Sequence, residues 1–224
     1  MQKKQRAVKS DERKAWERDQ RINRIIDIVE DLFYTGGYEA TTVDEIARAA
    51  GYTKRSIYLY FRDREDLFLA VVRRGQLLFK SVLEQALAGP DRGKEPLVVR
   101  LGRAFYQYSL DHPKYITLLM TYESKLHRYV PDTQEVDDGS YRSQCQRLSS
   151  EYGRIVTSAI EEDIGKGRIR TVLSARQLML LLWGQVFGVL QIILMRKASF
   201  REVYQTTPEK LFEEYLSMVV KSFR

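Results

Sequence analysis

Residues 41–72 read TTVDEIARAAGYTKRSIYLYFRDREDLFLAVV. Two short helices separated by a glycine are predicted within this stretch. The first opens at Thr42 and Glu45, which form a capping box in which each side chain satisfies a backbone amide of the other residue. Thr53 caps the second helix, predicted over Lys54–Phe61. Two short helices joined by a tight glycine-containing turn are typical of a helix-turn-helix, whose second helix can enter the major groove of DNA.

The predicted second helix has one face for the core and one for a partner. Ile57 and Phe61, four residues apart, are expected to face the core. Basic side chains reach base edges or phosphates, serine can contact either, and a tyrosine hydroxyl suits a phosphate oxygen. The side chains left for such contacts are those of Lys54, Arg55, Ser56, Tyr58 and Tyr60. An ordinary exposed helix with two tyrosines is the alternative that spacing alone leaves open.

An amphipathic helix precedes this stretch, with an apolar stripe from Ile22 to Phe33 that ends at Gly36-Gly37. Together, residues 19–72 resemble the DNA-binding signature of TetR-family transcriptional regulators. The resemblance lies in the T-x-x-x-I-A-x-x-A-G start, the I-Y-x-Y-F close and the acidic, leucine-bearing start of the next helix.

The resemblance implies a DNA-contact set. It implies that Thr42 presents the first short helix to a phosphate, that residues 53–56 meet the groove and that Arg64 touches phosphate. The full set is Thr42, Thr53, Lys54, Arg55, Ser56, Tyr58, Tyr60 and Arg64. Arg55 stands where the family often has a small residue, and Tyr60 where it often has histidine. These departures leave the operator sequence open but not the binding mode.

The resemblance also implies function and domain organisation. It implies a sequence-specific regulator that binds a double-stranded DNA operator as a homodimer, represses transcription and is released by an unidentified small-molecule effector. We predict a DNA-binding domain over residues 1–70, with a flexible basic tail over 1–18. An effector-binding and dimerisation domain is predicted over 71–224.

Composition fits a folded protein of the cytoplasm. Hydrophobic residues make up 44 % and charged residues 30 % of the chain, and Cys145 is the single cysteine. No intrachain disulfide can therefore form, and the N-terminal segment has no apolar stretch typical of a secretory signal. The formal net charge is +7. Residues 1–24 carry nine Lys or Arg and four Asp or Glu, a basic patch that suits a polyanion or a solvated helical face equally.

The rest of the chain is also predicted to be helical, which makes the fold class all-α. The working prediction is about nine helices, with a break at residues 89–93 and a loop at 129–139. The helices after the helix-turn-helix are predicted over about 63–88, 96–110, 113–127, 140–164, 174–197 and 207–224.

The helix predicted over 174–197 contains LMLLLWGQVFGVLQIILM, eighteen residues without a charge. A run of this length meets the threshold for a membrane span. Gln185 and Gln191 are polar, however, and a helix that is apolar all round is also what a buried central helix looks like. We predict no membrane partner and expect this helix to pack within its domain and against a second subunit.

A pocket for the effector is predicted in the second domain, where apolar walls and a few polar groups are expected. Its predicted lining is Phe105, Tyr108, Tyr115, Leu119, Tyr122, Glu123, His127, Trp183 and Phe187. For any one of these aromatic residues, however, packing in the core is the commoner role. No catalytic residue, cofactor or metal site is predicted, because no catalytic or metal-binding motif is present. A helical small-molecule-binding protein or enzyme without DNA binding is the alternative function.

Overall fold

The structure, a computed structural model, describes residues 2–89, 93, 95–126 and 139–223, and these contain no β-strand. The predicted all-α class is confirmed. The described α-helices are α1 (Gln2–Gly36), α2 (Val43–Ala50), α3 (Lys54–Ile57), α4 (Arg64–Ala88), α5 (Leu97–Asp111), α6 (Pro113–Ser124), α7 (Tyr141–Gly165), α8 (Ala175–Arg196), α9 (Phe200–Tyr204) and α10 (Pro208–Ser222). Nine of them match predicted helices, and the five-residue α9 is additional. The loop predicted over 129–139 lies outside the described residues except at Gly139.

Local capping signals set the ends of the short helices. The Thr42–Glu45 capping box is present, and the backbone N–H of Thr42 donates to the Glu45 carboxylate at 2.8 Å. This hydrogen bond holds the pKa of Glu45 below its usual range. Gly51 ends α2 with φ +70°, a left-handed conformation that glycine adopts without strain. Asp63 caps α4 by accepting from the backbone N–H of Asp66 at 2.8 Å.

The structure differs from the prediction at both ends of the helix-turn-helix region. Residues 2–18, predicted as a flexible tail, belong to α1, because they are rich in Lys, Arg, Glu, Gln and Ala, which favour helix without an apolar stripe. Helix α3 ends at Ile57 rather than Phe61. The chain continues in tight turns, since the amides of Leu59 and Tyr60 donate to carbonyls only three residues back.

The chain divides into two compact units. Unit 1 comprises Met1–Gly75 and Thr117–Cys145, and unit 2 comprises Gln76–Ile116 and Gln146–Arg224. The division passes through α4, α6 and α7. The predicted functional division at residue 70 stays a prediction.

Unit 1 is built on the apolar stripe of α1. Ile25 and Val29 are fully buried, and Ile57 and Phe61 are buried as predicted. Cys145 is also buried in this unit, where its thiol donates to the Leu69 carbonyl at 3.3 Å. Burial raises the pKa of this thiol to about 12.

Unit 2 contains a buried ion pair at the end of α7. Asp163 is fully buried, and its carboxylate accepts from the Arg168 Nε at 2.6 Å and from the backbone N–H of Val98 at 3.2 Å. The Arg168 guanidinium is itself nearly buried and also donates to the Gly93 carbonyl. The pair therefore links the end of α7 to the first turn of α5.

Candidate nucleic-acid interface

Helices α2 and α3 form the predicted helix-turn-helix. The turn runs through Gly51, and the Thr53 hydroxyl caps α3 by accepting from the backbone N–H of Ser56 at 3.1 Å. Because Ile57 and Phe61 are anchored in the core, the side chains between and before them are directed outward. We call residues 53–61 the recognition segment.

The predicted contact residues lie mostly at the surface. Thr42, Thr53, Lys54, Arg55 and Tyr58 are exposed, whereas Ser56, Tyr60 and Arg64 are half-buried. All but Thr42 and Arg64 lie within the recognition segment, which thus presents two basic, two hydroxyl and two tyrosine side chains in one short stretch. Such a set supplies donors for phosphate oxygens and base edges.

Lys54 is held by an acid on the preceding helix. Its Nζ lies 2.8 Å from the Asp44 carboxylate, and this hydrogen bond raises the pKa of Lys54. Both side chains are exposed, so the pair is weak and a phosphate can replace the carboxylate. Arg55 is exposed beside it in the first turn of α3.

Leu59 was missed by sequence reasoning. It lies between the two tyrosines of the recognition segment and is 65 % exposed. An apolar side chain on this surface suits contact with a thymine methyl group. Its position in the sequence between two tyrosines that are expected to face outward could have indicated that it is exposed.

Arg64, which is predicted to contact a phosphate, lies against the loop between α1 and α2. Its Nη1 donates to the backbone carbonyls of Tyr38, Glu39 and Thr41 at 3.0–3.3 Å, and the guanidinium lies 4.5 Å from the centre of the Tyr38 ring. Its donors are thereby engaged with the loop between α1 and α2. Arg64 holds this loop in place, and its phosphate contact stays a prediction.

The predicted effector-site residues do not all share one unit. Unit 2 contains an aromatic cluster of Phe79, Phe105, Tyr152 and Trp183, with ring centres 4.8 Å apart for Phe79–Phe105 and 5.3 Å for Phe105–Trp183. Leu119, Tyr122 and Glu123 lie in unit 1, and His127 lies outside the described residues. The predicted residues in unit 2 are Phe105, Tyr108, Tyr115, Trp183 and Phe187.

A polar group borders the aromatic cluster and was not predicted. Gln76 is 1 % exposed, and its Nε2 donates to the Ser149 hydroxyl at 3.0 Å, which also accepts from the Tyr152 hydroxyl at 2.8 Å. The Gln76 Oε1 has no hydrogen-bond partner among the described residues. Buried acceptors of this kind are costly unless a donor reaches them. The aromatic cluster therefore has a polar end.

A groove of about 390 Å³ also lies in unit 2. It is formed by α4, α5 and α7, which also contribute to the aromatic cluster. Arg100, Arg154 and Ser158 supply its donors, and Glu162 its one acid. Within the described residues, no three His, Cys, Asp or Glu side chains are grouped so that they could hold a metal ion.

Residues 25–71 match the family model for bacterial regulatory proteins of the tetR family. The chain belongs to the TetR family. The match covers the recognition segment and the helices on either side of it.

Two Bacillus subtilis proteins are similar in sequence to this TetR-family chain. The uncharacterized HTH-type transcriptional regulator YerO is 30 % identical over 157 residues, which cover 69 % of this chain and 50 % of YerO. The chain therefore aligns with half the length of that relative. A fatty acid metabolism regulator protein is 24 % identical over 73 % of this chain and 78 % of its own length.

Solved structures share the fold along most of the chain. The transcriptional regulator FadR from B. subtilis, in complex with stearoyl-CoA, has a TM-score of 0.66 at 18 % identity and covers 90 % of this chain and 98 % of FadR. FadR from Bacillus halodurans gives a TM-score of 0.67 at 16 % identity, covering 89 % and 94 %. At these identities the similarity establishes the TetR fold for both the helix-turn-helix and the helices that follow.

Proposed function

We propose that this TetR-family protein is a cytoplasmic homodimer that binds a DNA operator, represses transcription and is released by an acyl-thioester effector. One observation carries the DNA-binding part. The recognition segment is anchored by Ile57 and Phe61 and presents Lys54, Arg55 and Tyr58 to solvent. Its chemistry is binding rather than catalysis, and we propose no enzymatic activity.

The predicted contact residues divide the tasks of base reading and phosphate binding in this proposal. Arg55 reads a base edge, since arginine bonds to guanine O6 and N7 in the major groove. Thr53 and Ser56 bind phosphate or base, and the tyrosine hydroxyls bind phosphate. Thr42 opens α2 toward a neighbouring phosphate, because helix N-termini attract anions.

Replacing Arg55 with alanine tests base reading. We expect the Kd for the operator to rise by about 5-fold to 150-fold, corresponding to about 1–3 kcal/mol, with a much smaller change on random duplex. Binding is measured by fluorescence anisotropy with an operator selected from a random-sequence duplex pool. Arg48→Ala, an exposed arginine of α2, is the matched control. Equal losses on operator and random duplex would assign Arg55 to phosphate contact, and no loss on either would remove it from the interface.

The homodimer is proposed from an apolar surface on unit 2. The outward side of α8 carries exposed apolar side chains, of which Met195 is 73 % and Leu181 52 % exposed. Gly184 and Gly188 lie on the same side, and no atom lies within 4 Å of the point where a Cβ would stand on either. Glycine lets helices approach closely, and exposed apolar area of this extent marks an interaction site. A second copy of the chain covers this surface. We call this surface the α8 stripe, and it consists of Leu180, Leu181, Gly184, Gly188, Ile192 and Met195.

A membrane is the other surface that α8 could meet. The segment Ala175–Tyr204 is, within the described residues, long and apolar enough to cross a membrane by length and composition. We propose the second subunit instead, because Leu182 and Leu190 on the opposite side of α8 are buried within unit 2. A helix already packed along one side suits a dimer interface on the other.

Release by an effector is proposed to act through α4. This helix runs unbroken from Arg64, at the helix-turn-helix, to Ala88 in unit 2. An effector shifts a protein only by binding one conformation better than the other. If the favoured conformation turns α4, the two recognition segments no longer fit half-sites about 34–36 Å apart.

An acyl-CoA is the proposed effector class. The FadR structure with stearoyl-CoA shares the fold. Unit 2 has both an apolar region for an acyl chain and basic side chains for the phosphates of coenzyme A. The aromatic cluster suits an acyl chain, and the groove offers Arg100 and Arg154 to phosphates. Leu87 of the groove lies eight residues beyond Phe79 on α4, about 12 Å at 1.5 Å per residue. The effector class rests on this pairing of an apolar and a basic region.

Comparing the binding of stearoyl-CoA with that of stearic acid tests the basic region separately from the apolar one. We expect stearoyl-CoA to displace the operator, and Arg154→Ala to weaken stearoyl-CoA binding about tenfold through loss of a charge-assisted hydrogen bond, leaving stearic acid unaffected. Calorimetric titration measures both ligands, and Arg147→Ala, exposed on the same helix, is the control. Failure of stearoyl-CoA to displace the operator would contradict the effector class while leaving DNA binding intact.

A further inference from the structure

Two arginines of α1 lie against the recognition segment. The Arg21 Nη1 donates to the Tyr60 hydroxyl at 3.4 Å, and the Arg18 guanidinium lies 5.1 Å from the centre of the Tyr60 ring. Both arginines are exposed. The surface around Tyr60 is therefore shared between the recognition segment and a helix that precedes the helix-turn-helix.

These arginines continue the core-facing side of α1. Residues four and three apart lie on one side of a helix, so Lys14, Arg18 and Arg21 align with Ile25 and Val29. Ile25 and Val29 are fully buried against the core of unit 1. Toward the N-terminus this side passes from apolar to basic, and it is exposed at all three basic positions. We call Lys14, Arg18 and Arg21 the basic ridge.

We infer that the basic ridge is a second DNA contact, which binds phosphates at the outer edge of each half-site and beyond it. The inference rests on the proposed function, because it needs the recognition segment to be seated on DNA. Guanidinium and ammonium groups bind phosphate through charge-assisted hydrogen bonds. No base is read by the basic ridge, so the contact adds affinity without sequence preference.

Duplex DNA fits the basic ridge better than an acidic protein does. Arg18 and Arg21 touch the same tyrosine that is proposed to bind the DNA backbone, so one polyanion can meet all three side chains. The basic ridge spans about 10 Å from Lys14 to Arg21 at 1.5 Å per residue. Duplex DNA presents one phosphate charge about every 1.7 Å of its axis, enough to engage every member.

A double substitution with a matched control tests this inference. The ridge variant is Arg18→Ala with Arg21→Ala, and the control is Arg13→Ala, which removes an exposed arginine of the same helix that lies outside the basic ridge. Alanine favours helix, so both variants are expected to keep α1 intact, which far-UV circular dichroism checks. Each is titrated with the selected operator, cut at the half-site ends or extended by ten base pairs on both sides, over a range of NaCl concentrations.

We expect the ridge variant to bind the extended duplex with a shallower salt dependence. Each lost phosphate contact lowers the slope of log Kd against log salt by about 0.9, so four contacts per dimer lower it by roughly 3 to 4. The effect is expected to be smaller on the cut duplex, and the control variant should keep the wild-type slope on both. If the ridge variant shows the same salt slope as the control on the extended duplex, the inference is overturned, whereas operator binding by the wild-type protein still stands. Loss of wild-type binding to both duplexes would overturn the proposed function as well.

Discussion

Leu181→Glu is expected to convert the proposed dimer into a monomer and to weaken operator binding at least about 100-fold. The substitution places one carboxylate from each subunit within the α8 stripe, where burial of an unpaired charge is strongly unfavourable. A dimer binds two half-sites with an advantage of about 10²–10⁴ over a single site, and the monomer loses this advantage. Analytical ultracentrifugation measures the assembly, and fluorescence anisotropy measures operator affinity.

Two further variants separate dimerisation from folding. Leu110→Glu introduces the same change at a position of α5 that is 43 % exposed and lies outside the α8 stripe, and it should leave the dimer intact. In Gly184→Leu, the new Cβ meets no atom within 4 Å in one chain, so the subunit should fold while close approach of a second α8 is blocked. A Leu181→Glu protein that remains dimeric would rule out the α8 stripe as the subunit interface.

Asp163→Ala is expected to lower the free energy of unfolding by about 3–5 kcal/mol. Removing one partner of a buried ion pair leaves the other charge without compensation in a medium that solvates it poorly. Here the substitution removes the nearest carboxylate from the nearly buried Arg168 guanidinium, whose other acidic neighbour, Glu162, is half exposed. It also removes the acceptor for the Val98 amide. Urea denaturation followed by circular dichroism measures the loss, at one fixed protein concentration because a dimer's stability depends on it.

The neighbouring Glu162 provides the control for this prediction. Its carboxylate lies 3.6 Å from the same guanidinium but is half exposed to solvent, so Glu162→Ala is expected to cost less than about 1 kcal/mol. Asp163→Asn keeps an oxygen that can accept from the Val98 amide, so its loss in free energy of unfolding should lie between those of the two alanine variants. Similar denaturation midpoints for the two alanine variants would show that the Asp163 pair does not stabilise unit 2.

The features that were predictable from sequence are those determined by neighbours in the chain. The capping box at Thr42 depends on residues within four positions and is present as predicted. The end of α2 at Gly51 and the cap at Asp63 are equally local. The burial of Ile57 and Phe61 followed from their spacing of four. Residues predicted for DNA contact could be placed on the surface because the same spacing leaves them outside the core.

The features that were not predictable depend on residues distant in the chain. Arg64 turns to carbonyls 23–26 residues before it, which no local pattern indicates. Gln76 meets Ser149 across 73 residues, so the polar end of the aromatic cluster could not be inferred. Residue type alone does not place a side chain in the effector site: Tyr122 is of a type found in the aromatic cluster but lies in unit 1, as does Leu119.

The buried Cys145 leaves the native protein without a thiolate at neutral pH. A thiol with a pKa of about 12 scarcely reacts with maleimides or methanethiosulfonates, and the sequence has no second cysteine. A nitroxide attached through Arg62→Cys would therefore label each subunit once, beside its recognition segment, with no need to remove the natural cysteine. Pulsed electron paramagnetic resonance could then read the spacing of the two segments directly, before and after stearoyl-CoA is added.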